Sequence, residues 1–329
     1  MTTAEIRAIG IYVPERAVSN EELSKTVDTS DEWIRSHTGI GNRHIAAPEE
    51  AASDLAIKAA KIALDKAQVD AMELDTIITA TATGDYPGFP STACIVQHAL
   101  GAENAAAFDL LAGCTGFIYA LSVARDMIIA GSARHILVIG AEVLTRITNW
   151  SDRNTAVLFG DGAGAAVVSA NGKQDGRGIL ESVLRAEGAG AEYLMRKAGG
   201  SRHPFVDGET PADDLFLSMN GRRVYGFAVR VNTILINTLL RKANLRLEDI
   251  NYIVPHQANE RIIQAAAERL KIPMDKFFLN MAEYANTSAA SVPIALNEMT
   301  EKGLLKRGDL IITLGFGAGL TYGGALIRW

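Results

Sequence analysis

The sequence predicts an α/β fold built from two similar halves. The first observation is that amphipathic helical segments alternate with short apolar runs of strand length. The second is an internal similarity: residues 67–78 (AQVDAMELDTII) resemble residues 243–254 (ANLRLEDINYIV), which lie 176 positions later. The third is that the elements around the two segments follow in the same order. A chain of 329 residues is long enough for two such halves.

Each copy of the repeated segment is preceded by a predicted helix and leads into a predicted strand. Apolar residues at helical spacing predict helices over residues 54–66 and 224–242, and short apolar runs predict strands over 76–79 and 252–254. The other matching pairs, with the first half before the second, are strands 135–140 and 309–315, glycine-rich turns 159–162 and 316–319, and terminal strands 165–168 and 325–327.

The two predicted halves are residues 1–172 and 173–329, because residues 171–178 form a polar, glycine-rich seam. In open α/β sheets, functional sites gather beyond the carboxyl ends of the strands. A duplicated chain places two sets of such ends around one crevice, where we expect the site.

The composition narrows the class of protein. Hydrophobic residues make up 48% and charged residues 21%, as in globular proteins, and the net charge of −6 argues against nucleic-acid binding. Apolar runs end well before the ~18 residues of a membrane span. The start of the chain (MTTAE) lacks the regions of a signal peptide, and two cysteines make no disulfide framework. We therefore expect a cytoplasmic protein that binds neither nucleic acid nor membrane.

Cys114 is the candidate nucleophile. It follows residues 105–110, interpreted as a buried strand, and precedes residues 115–130, which are apolar almost all round, as in a buried helix that ends at Gly131. A cysteine at a helix N-terminus has its thiolate stabilised by free N–H groups and the helix dipole. The alternative is an inert buried cysteine, and for Cys114 alone the two interpretations stand equal. Cys94 is interpreted as inert and buried.

Two further residues supply the groups that a catalytic cysteine needs. His256 follows the strand at 252–254, so it projects from a strand's carboxyl end into the expected crevice; alternatively it is a structural histidine. Asn286 lies in a turn before an apolar helix, where it could instead be a cap or turn residue. Cys114 and Asn286 lie at the start of equivalent elements in the two halves. Together the three residues predict one pocket for thioester chemistry.

Six blocks of sequence resemble the β-ketoacyl-acyl carrier protein synthase III family of thiolase-like condensing enzymes, and the resemblance runs from end to end. This resemblance implies a five-layer α-β-α-β-α fold made of two duplicated halves. The blocks are residues 29–34 (TSDEWI), 112–117 (AGCTGF), 159–164 (FGDGAG), 254–259 (VPHQAN), 286–291 (NTSAAS) and 315–320 (GFGAGL).

The resemblance implies the initiating condensation of type II fatty acid biosynthesis. An acyl-CoA, for which acetyl-CoA is the first expectation, would acylate Cys114. Malonyl-acyl carrier protein would then lose CO2 and attack the thioester to give 3-oxoacyl-acyl carrier protein. Backbone N–H groups of Cys114 and Ala318 would form the oxyanion hole, and His256 and Asn286 would stabilise the enolate oxygen. This mechanism requires no metal and no other cofactor.

The resemblance also assigns residues to binding of the acyl-CoA. It implies that Trp33 stacks on the CoA adenine with help from Arg153, and that Gly221 and Asn259 line the pantetheine tunnel. The chain departs from the family at His37, which stands where an arginine is frequent. Because histidine is mostly neutral at pH 7, the affinity for CoA and the choice of donor stay open.

Partner contacts are implied in the same way. Arg222 and Arg261 would form a basic patch for the acidic carrier protein, whereas Arg223 is equally well read as a solvated surface residue. Phe89 would close the acyl pocket of a partner subunit, which implies a homodimer; the alternative for Phe89 is plain core packing at the interface.

Other functions remain open at this stage. The same three residues could serve a starter-unit synthase or an acyltransferase of specialised metabolism, in which only the donor and acceptor differ. A non-catalytic subunit is a second alternative, although such proteins tend to lose the cysteine. Gly160, Gly162 and Ala165 fit a relaxed dinucleotide-binding fingerprint, but a predicted strand follows them where that motif requires a helix.

Overall fold

Two large β-sheets and the helices around them form the fold. The computed structural model describes residues 2–173 and 175–329. The strands are β1 (Thr3–Tyr12), β2 (Arg16–Ser19), β3 (Asn42–Ile45), β4 (Thr76–Ala80), β5 (Ala106–Leu110), β6 (His135–Glu142), β7 (Gly162–Asn171), β8 (Gly178–Ala186), β9 (Leu194–Arg196), β10 (Leu217–Met219), β11 (Tyr252–Pro255), β12 (Leu310–Gly317) and β13 (Thr321–Arg328). The helices are α1 (Asn20–Leu23), α2 (Asp31–Thr38), α3 (Ala52–Ala67), α4 (Thr92–Leu100), α5 (Gly116–Ile129), α6 (Arg153–Ala156), α7 (Gly221–Ala243), α8 (Glu260–Leu270), α9 (Met281–Tyr284) and α10 (Ser291–Glu301).

The first large sheet has the strand order β1-β7-β6-β4-β5. Strand β4 runs parallel to β5 and β6, and β7 runs antiparallel to β6 and β1. Strands β4 and β6 are buried along their whole length, as continuous apolar runs in parallel sheets usually are. The prediction that β5 is buried is wrong. This strand lies at the edge of the sheet with a neighbour on one side only, and most of its residues are partly or fully exposed.

The second large sheet has the order β11-β12-β13-β8. Strand β12 runs parallel to β11 and antiparallel to β13, and β13 in turn runs antiparallel to β8. In each sheet, therefore, the parallel strands have their carboxyl ends at the same side. The last of them, β6 or β12, pairs antiparallel with the strand that follows it, β7 or β13. The order matches the pairs of elements that the internal similarity predicts.

Five layers stack through the molecule, so the predicted α-β-α-β-α fold is confirmed. Helices α3 and α4 pack on the outer side of the first sheet, and α7 with α8 packs on the second. Helices α5 and α10 contact strands of both sheets and form the middle layer. The largest group of buried apolar side chains lies around these two helices, and further groups lie under α3 and under α7.

The middle layer explains why the sequence of α5 is apolar on nearly every side. A helix with a sheet on each flank has little polar surface to offer, so amphipathicity is lost. By contrast, α3 and α7 keep an exposed polar face. Among the residues that the structure describes, no helix is both long and apolar enough to span a membrane.

Candidate functional site

Cys114 lies in a single 3-10 turn, Gly113–Thr115, between β5 and α5. Its position at the start of a buried helix is the one that the sequence predicts. Gly113 has a φ of +53°, a conformation that favours glycine. The end of β12 closes on the turn so tightly that a Cβ on Gly317 would lie 2.8 Å from the Cys114 nitrogen. Both glycines are therefore needed to form this corner.

The thiol of Cys114 is not activated in the way that its helix position predicts. Burial is the largest influence and raises the pKa of the Cys114 thiol to about 12. A hydrogen bond with the Ser288 side chain lowers this pKa, and the negative charge of Glu142 raises it. Since a water-excluded pocket penalises the charged form, Cys114 is a neutral thiol in the unliganded site.

His256 follows β11 and is 1% exposed. Its Nδ1 lies 2.7 Å from Ser291 Oγ, and its ring meets Phe316 edge to face at a centroid distance of 5.2 Å. Burial lowers the pKa of His256 to about 3. The imidazole is therefore neutral and carries a single ring proton near pH 7.

Asn286 lies between α9 and the 3-10 turn Ser288–Ala290 that leads into α10. Its Oδ1 accepts the backbone N–H of Ser288 at 2.9 Å, so the interpretation of Asn286 as a turn residue is also correct. Its backbone N–H donates to the Leu158 carbonyl at 2.9 Å, which ties the turn to the first half. Because Oδ1 is occupied, the amide N–H groups are the part of Asn286 that can serve a ligand.

The structure brings these three residues together in one cavity of about 140 Å³. Apart from them and Asn259, the walls are almost entirely apolar. They include Leu158, Phe159, Leu194, Met219, Val224, Ile262 and Phe316. A thiol, a neutral imidazole and an amide in an apolar chamber can bind a thioester carbonyl and exclude water.

An outer cleft of about 700 Å³ opens onto this cavity, and the two share Leu158, Met219, Gly221 and Asn259. The cleft brings together the residues that the family resemblance assigns to binding of an acyl-CoA. Its walls include Trp33, His37, Arg153, Gly221, Arg222 and Asn259. A long, thin substrate placed in the cleft would reach the Cys114 chamber by passing Gly221 and Asn259.

Trp33 is already stacked in the free chain. The His37 ring packs on it at 4.3 Å with an interplanar angle of 16°, and the Arg153 guanidinium lies 4.8 Å from the Trp33 ring centroid. His37 Nδ1 is also 2.7 Å from the Trp33 carbonyl oxygen. Arg35 forms an ion pair with Asp31 at 2.8 Å and is absent from the cleft wall, so it does not replace the arginine missing at His37.

Asn259 and Arg261 join α8 to α2. The Asn259 amide donates to the His37 carbonyl at 3.0 Å, while its Oδ1 accepts the Arg261 N–H at 2.9 Å and caps α8. Arg261 Nε donates to the Ser36 carbonyl at 2.8 Å, and the rest of this exposed side chain stays in solvent. Arg222 is exposed at the rim of the cleft.

The remaining predicted residues lie in different surroundings. The Ala318 nitrogen is next to the nucleophile turn, where a Cβ on Gly113 would come within 3.1 Å of it. Phe89 is 87% exposed and is not part of the Cys114 cavity of its own chain, so both interpretations, which place it at an interface with a partner subunit, stay predictions. Cys94 is exposed on α4, which corrects the prediction that it is buried, because the adjoining edge strand β5 leaves that face uncovered.

Two buried residues of the site, Glu142 and Ser288, have no role in the expectations from sequence. Glu142, at the carboxyl end of β6, accepts from Thr83 Oγ1 at 2.6 Å, the Ala82 N–H at 3.1 Å and Ser288 Oγ at 3.0 Å. Burial raises the pKa of Glu142 to about 7. Ser288 thereby links this carboxyl to the Cys114 thiol. An acid directly after an apolar strand was the signal that could have revealed Glu142.

Comparisons with known proteins agree with this geometry. A family model described as 3-oxoacyl-[acyl-carrier-protein] synthase III matches residues 108–188, and the C-terminal model of the same description matches residues 240–329. The first region contains Cys114, and the second contains His256 and Asn286.

The chain is similar to curated proteins over its whole length. A β-ketoacyl-[acyl-carrier-protein] synthase III from Caldanaerobacter subterraneus subsp. tengcongensis is 53% identical over 99% of this chain and 98% of that protein. The protein of the same name from Clostridium acetobutylicum is 48% identical over 100% and 99%. The crystal structure of 3-oxoacyl-[acyl-carrier-protein] synthase III from Aquifex aeolicus matches with a TM-score of 0.91 and 45% identity, covering 99% of this chain and 100% of that one. The chain therefore belongs to the β-ketoacyl-[acyl-carrier-protein] synthase III family.

Proposed function

We propose that the chain catalyses the initiating condensation of fatty acid biosynthesis, in which an acyl-CoA and malonyl-acyl carrier protein give 3-oxoacyl-acyl carrier protein, CoA and CO2. The observation that carries this proposal is the meeting of Cys114, His256 and Asn286 in one apolar cavity at the inner end of a long cleft. The family's name, a synthase that forms β-ketoacyl groups on a carrier protein, supports the same class of acyl-transferring reaction.

In the first half-reaction, Cys114 sulfur attacks the thioester carbonyl of the acyl-CoA, a new thioester forms and CoA leaves. Because the resting cysteine is a neutral thiol, its proton must depart during the attack. We assign Glu142 as the acceptor, since Ser288 bridges it to the thiol and can accept one proton while passing its own to the carboxylate. The Cys114 and Ala318 N–H groups would stabilise the oxyanion.

In the second half-reaction, malonyl-acyl carrier protein loses CO2 and leaves an enolate. The enolate carbon attacks the Cys114 thioester, the carbon–carbon bond forms as the carbon–sulfur bond to Cys114 breaks, and the sulfur recovers its proton from Glu142 through Ser288. His256 Nε2 and the Asn286 amide would donate hydrogen bonds to the enolate oxygen, because both are neutral and neither must take up a proton. The apolar walls exclude the water that would otherwise hydrolyse the acyl-enzyme.

The acyl-CoA would bind along the outer cleft with its pantetheine arm passing Gly221 and Asn259. Trp33 would receive the adenine. A planar base can stack there only if it takes the place of His37 or inserts between Trp33 and Arg153, because both groups already cover the indole. The cavity of about 140 Å³ around Cys114 makes acetyl and other short acyl groups the first donors to test.

Carrier protein binding is assigned to the exposed basic groups at the cleft rim. Arg222 lines the cleft itself, and Arg261 stands at the start of α8 beside it. Both are exposed, so an acidic partner can approach them while its prosthetic group enters the cleft. Arg223 packs over the Tyr193 ring at 5.7 Å and lies farther along α7 from the cleft.

We also propose that the protein is a homodimer and that Phe89 contributes to the partner's acyl pocket. Strand β5 has an open edge, and four large, mostly apolar side chains are exposed on it, directly after it or in the loop before α4, whose first turn is bonded to Asp109 of β5. They are Tyr86, Phe89, Phe108 and Leu111, of which Phe89 is 87% and Leu111 77% exposed.

The two halves are assigned to residues 1–172 and 173–329. This division is supported by the strands, since the first large sheet uses Thr3–Asn171 and the second uses Gly178–Arg328. The cytoplasm is the proposed location, where acyl-CoA and carrier protein are substrates and where both cysteines can stay free thiols.

The experiment is a two-step assay by intact mass. The purified protein is first incubated with single acyl-CoAs, starting with acetyl-CoA, and then with malonyl-acyl carrier protein. We expect one acyl group on Cys114, followed by its loss and the appearance of 3-oxoacyl-acyl carrier protein. Transfer of the acyl group to an alcohol or amine without decarboxylation would instead identify an acyltransferase, and a protein that takes up no acyl group would be a non-catalytic subunit.

A further inference from the structure

The hydroxyl of Ser291, the first residue of α10, is the polar partner of His256 Nδ1. The two atoms are 2.7 Å apart, and both residues are buried. Among the described residues, no other polar group lies within hydrogen-bond distance of Nδ1. The distance alone does not say which atom donates, because a neutral imidazole can carry its proton on either nitrogen.

The single hydroxyl proton of Ser291 has two acceptors within reach. One is His256 Nδ1, and the other is the Ser288 carbonyl at 2.9 Å. The Ser288 carbonyl already accepts the backbone N–H of Ser291. On its other side, Ser291 Oγ faces the Gln257 N–H at 3.4 Å. If the hydroxyl donates to Nδ1, its oxygen accepts from Gln257 and the Ser288 carbonyl keeps the Ser291 N–H; if it donates to the Ser288 carbonyl, the ring proton must sit on Nδ1 and Nε2 has none.

We infer that Ser291 is a positioning residue, which donates to Nδ1 and so holds the His256 proton on Nε2. The inference deepens the proposed function, on which its kinetic part rests. An enolate oxygen needs a donor, and only the tautomer with a proton on Nε2 supplies one from a neutral ring. A doubly protonated ring would also donate from Nε2, but burial lowers the pKa of His256 and so disfavours that form.

Removing the hydroxyl should therefore impair one half-reaction more than the other. In Ser291→Ala, Nδ1 has no donor, and the ring can place its proton on either nitrogen. We expect condensation and decarboxylation of malonyl-acyl carrier protein to slow about 5- to 10-fold, the change that corresponds to losing one hydrogen bond of about 1–1.4 kcal/mol that fixes the ring proton and the ring orientation. Acylation of Cys114 by acyl-CoA should change by less than about 3-fold, because the oxyanion hole proposed for that step uses backbone N–H groups.

The conservative variant separates positioning from packing. Ser291→Thr keeps the hydroxyl and should recover most of the decarboxylation rate, while Ser291→Ala should not. Thr300→Ala is the matched control, because Thr300 donates to the Leu296 carbonyl in the same helix but lies outside the site walls. Equal losses in both half-reactions for Ser291→Ala, or a loss that Ser291→Thr does not reverse, would overturn the inference.

A spectroscopic readout tests the tautomer without any substrate. In protein labelled with ¹⁵N-histidine, the two ring nitrogens of His256 are assigned with a His256→Asn variant. We expect a protonated Nε2 and a bare Nδ1 in the parent protein, and a mixture in Ser291→Ala. A protonated Nδ1 in the parent would refute the inference even if the condensation assay succeeds. A failed condensation assay with the expected nitrogen signals would refute the proposed function and leave the tautomer assignment intact.

Discussion

At the scale of single residues, burial dominates the chamber and disfavours the charged form of each ionisable group, so that near pH 7 Cys114 and His256 are neutral and Glu142 is partly ionised. It raises the pKa of Cys114 to about 12 and that of Glu142 to about 7, and it lowers the pKa of His256 to about 3. A neutral histidine can donate a hydrogen bond to an enolate oxygen without transferring its proton. A neutral thiol loses its proton only when it attacks the substrate. The opposing helix dipole stabilises a thiolate by only about 0.3–2 kcal/mol.

Replacing the nucleophile separates the two half-reactions. Cys114→Ala should abolish acyl transfer from acyl-CoA while partly retaining decarboxylation of malonyl-acyl carrier protein, because His256 and Asn286 remain. Intact mass and release of CO2 measure the two steps. Cys94→Ala is the matched control, since Cys94 is an exposed free cysteine, and it should behave like the parent. Full condensation by Cys114→Ala would contradict the proposed mechanism through a thioester on Cys114.

Glu142 makes the stability depend on pH. Its pKa is about 7 in the folded chain, against about 4.3 when unfolded. Between these values the folded state binds more protons, so its contribution to stability falls as pH rises from about 4.3 to 7, by about 3–4 kcal/mol. Glu142→Gln should remove this slope in urea unfolding. His256 acts oppositely below pH 6.5 but is common to both proteins, so their difference isolates Glu142. Parallel curves would contradict the assignment.

At the scale of elements, the helices and strands of the site were largely predictable from the sequence. Residues 54–66 and 224–242 fall inside α3 and α7, and the strands that lead to the site follow from short apolar runs. Strand β5 was misjudged because its apolar composition looks the same whether it is covered by the fold or left at an open edge. Periodicity reports which side chains avoid water, and it does not identify what covers them.

The open edge of β5 gives a prediction about assembly. Phe108→Glu places a charge on an exposed apolar strand residue, and burial of a phenyl group is worth about 1.5–3 kcal/mol per protomer. The dimer dissociation constant should rise at least about 100-fold, as sedimentation equilibrium would measure. Ile62→Glu on α3 is the control, because Ile62 is a comparably exposed apolar residue on another face. A monomeric parent protein would remove the proposal altogether.

At the scale of the whole molecule, the net charge of −6 conceals a local basic rim. Arg261→Glu should raise the KM for malonyl-acyl carrier protein about 10-fold at low salt and weaken its salt dependence, because surface charges steer association. Acylation by acyl-CoA should be unaffected. Arg246→Glu, on a distant loop, is the control with the same change in charge. An unchanged KM would place the carrier protein elsewhere.

The layered fold and the three central residues were accessible from sequence, whereas their electrostatics were not. Cys114, His256 and Asn286 each follow a recognisable element, and the two-fold repeat brings those elements to one crevice. The pKa of Cys114 depends on how completely β12 and α10 close over it, and the sequence of residues 112–117 does not contain that closure. The acid at the end of β6 marks Glu142 as a candidate, but its link to Cys114 runs through Ser288, 146 positions later, and Ser291 acts on His256, 35 positions earlier, so no local pattern reveals either role.

The open edge of β5 also affects how the protein is lost to aggregation. Unpaired N–H and C=O groups beside Phe108 and Leu111 offer a template to any extended chain, so the single chain is exposed to aggregation. Self-association would cover that template and, by mass action, stabilise the folded chain. Dilution should then shorten the time over which a preparation stays folded and active.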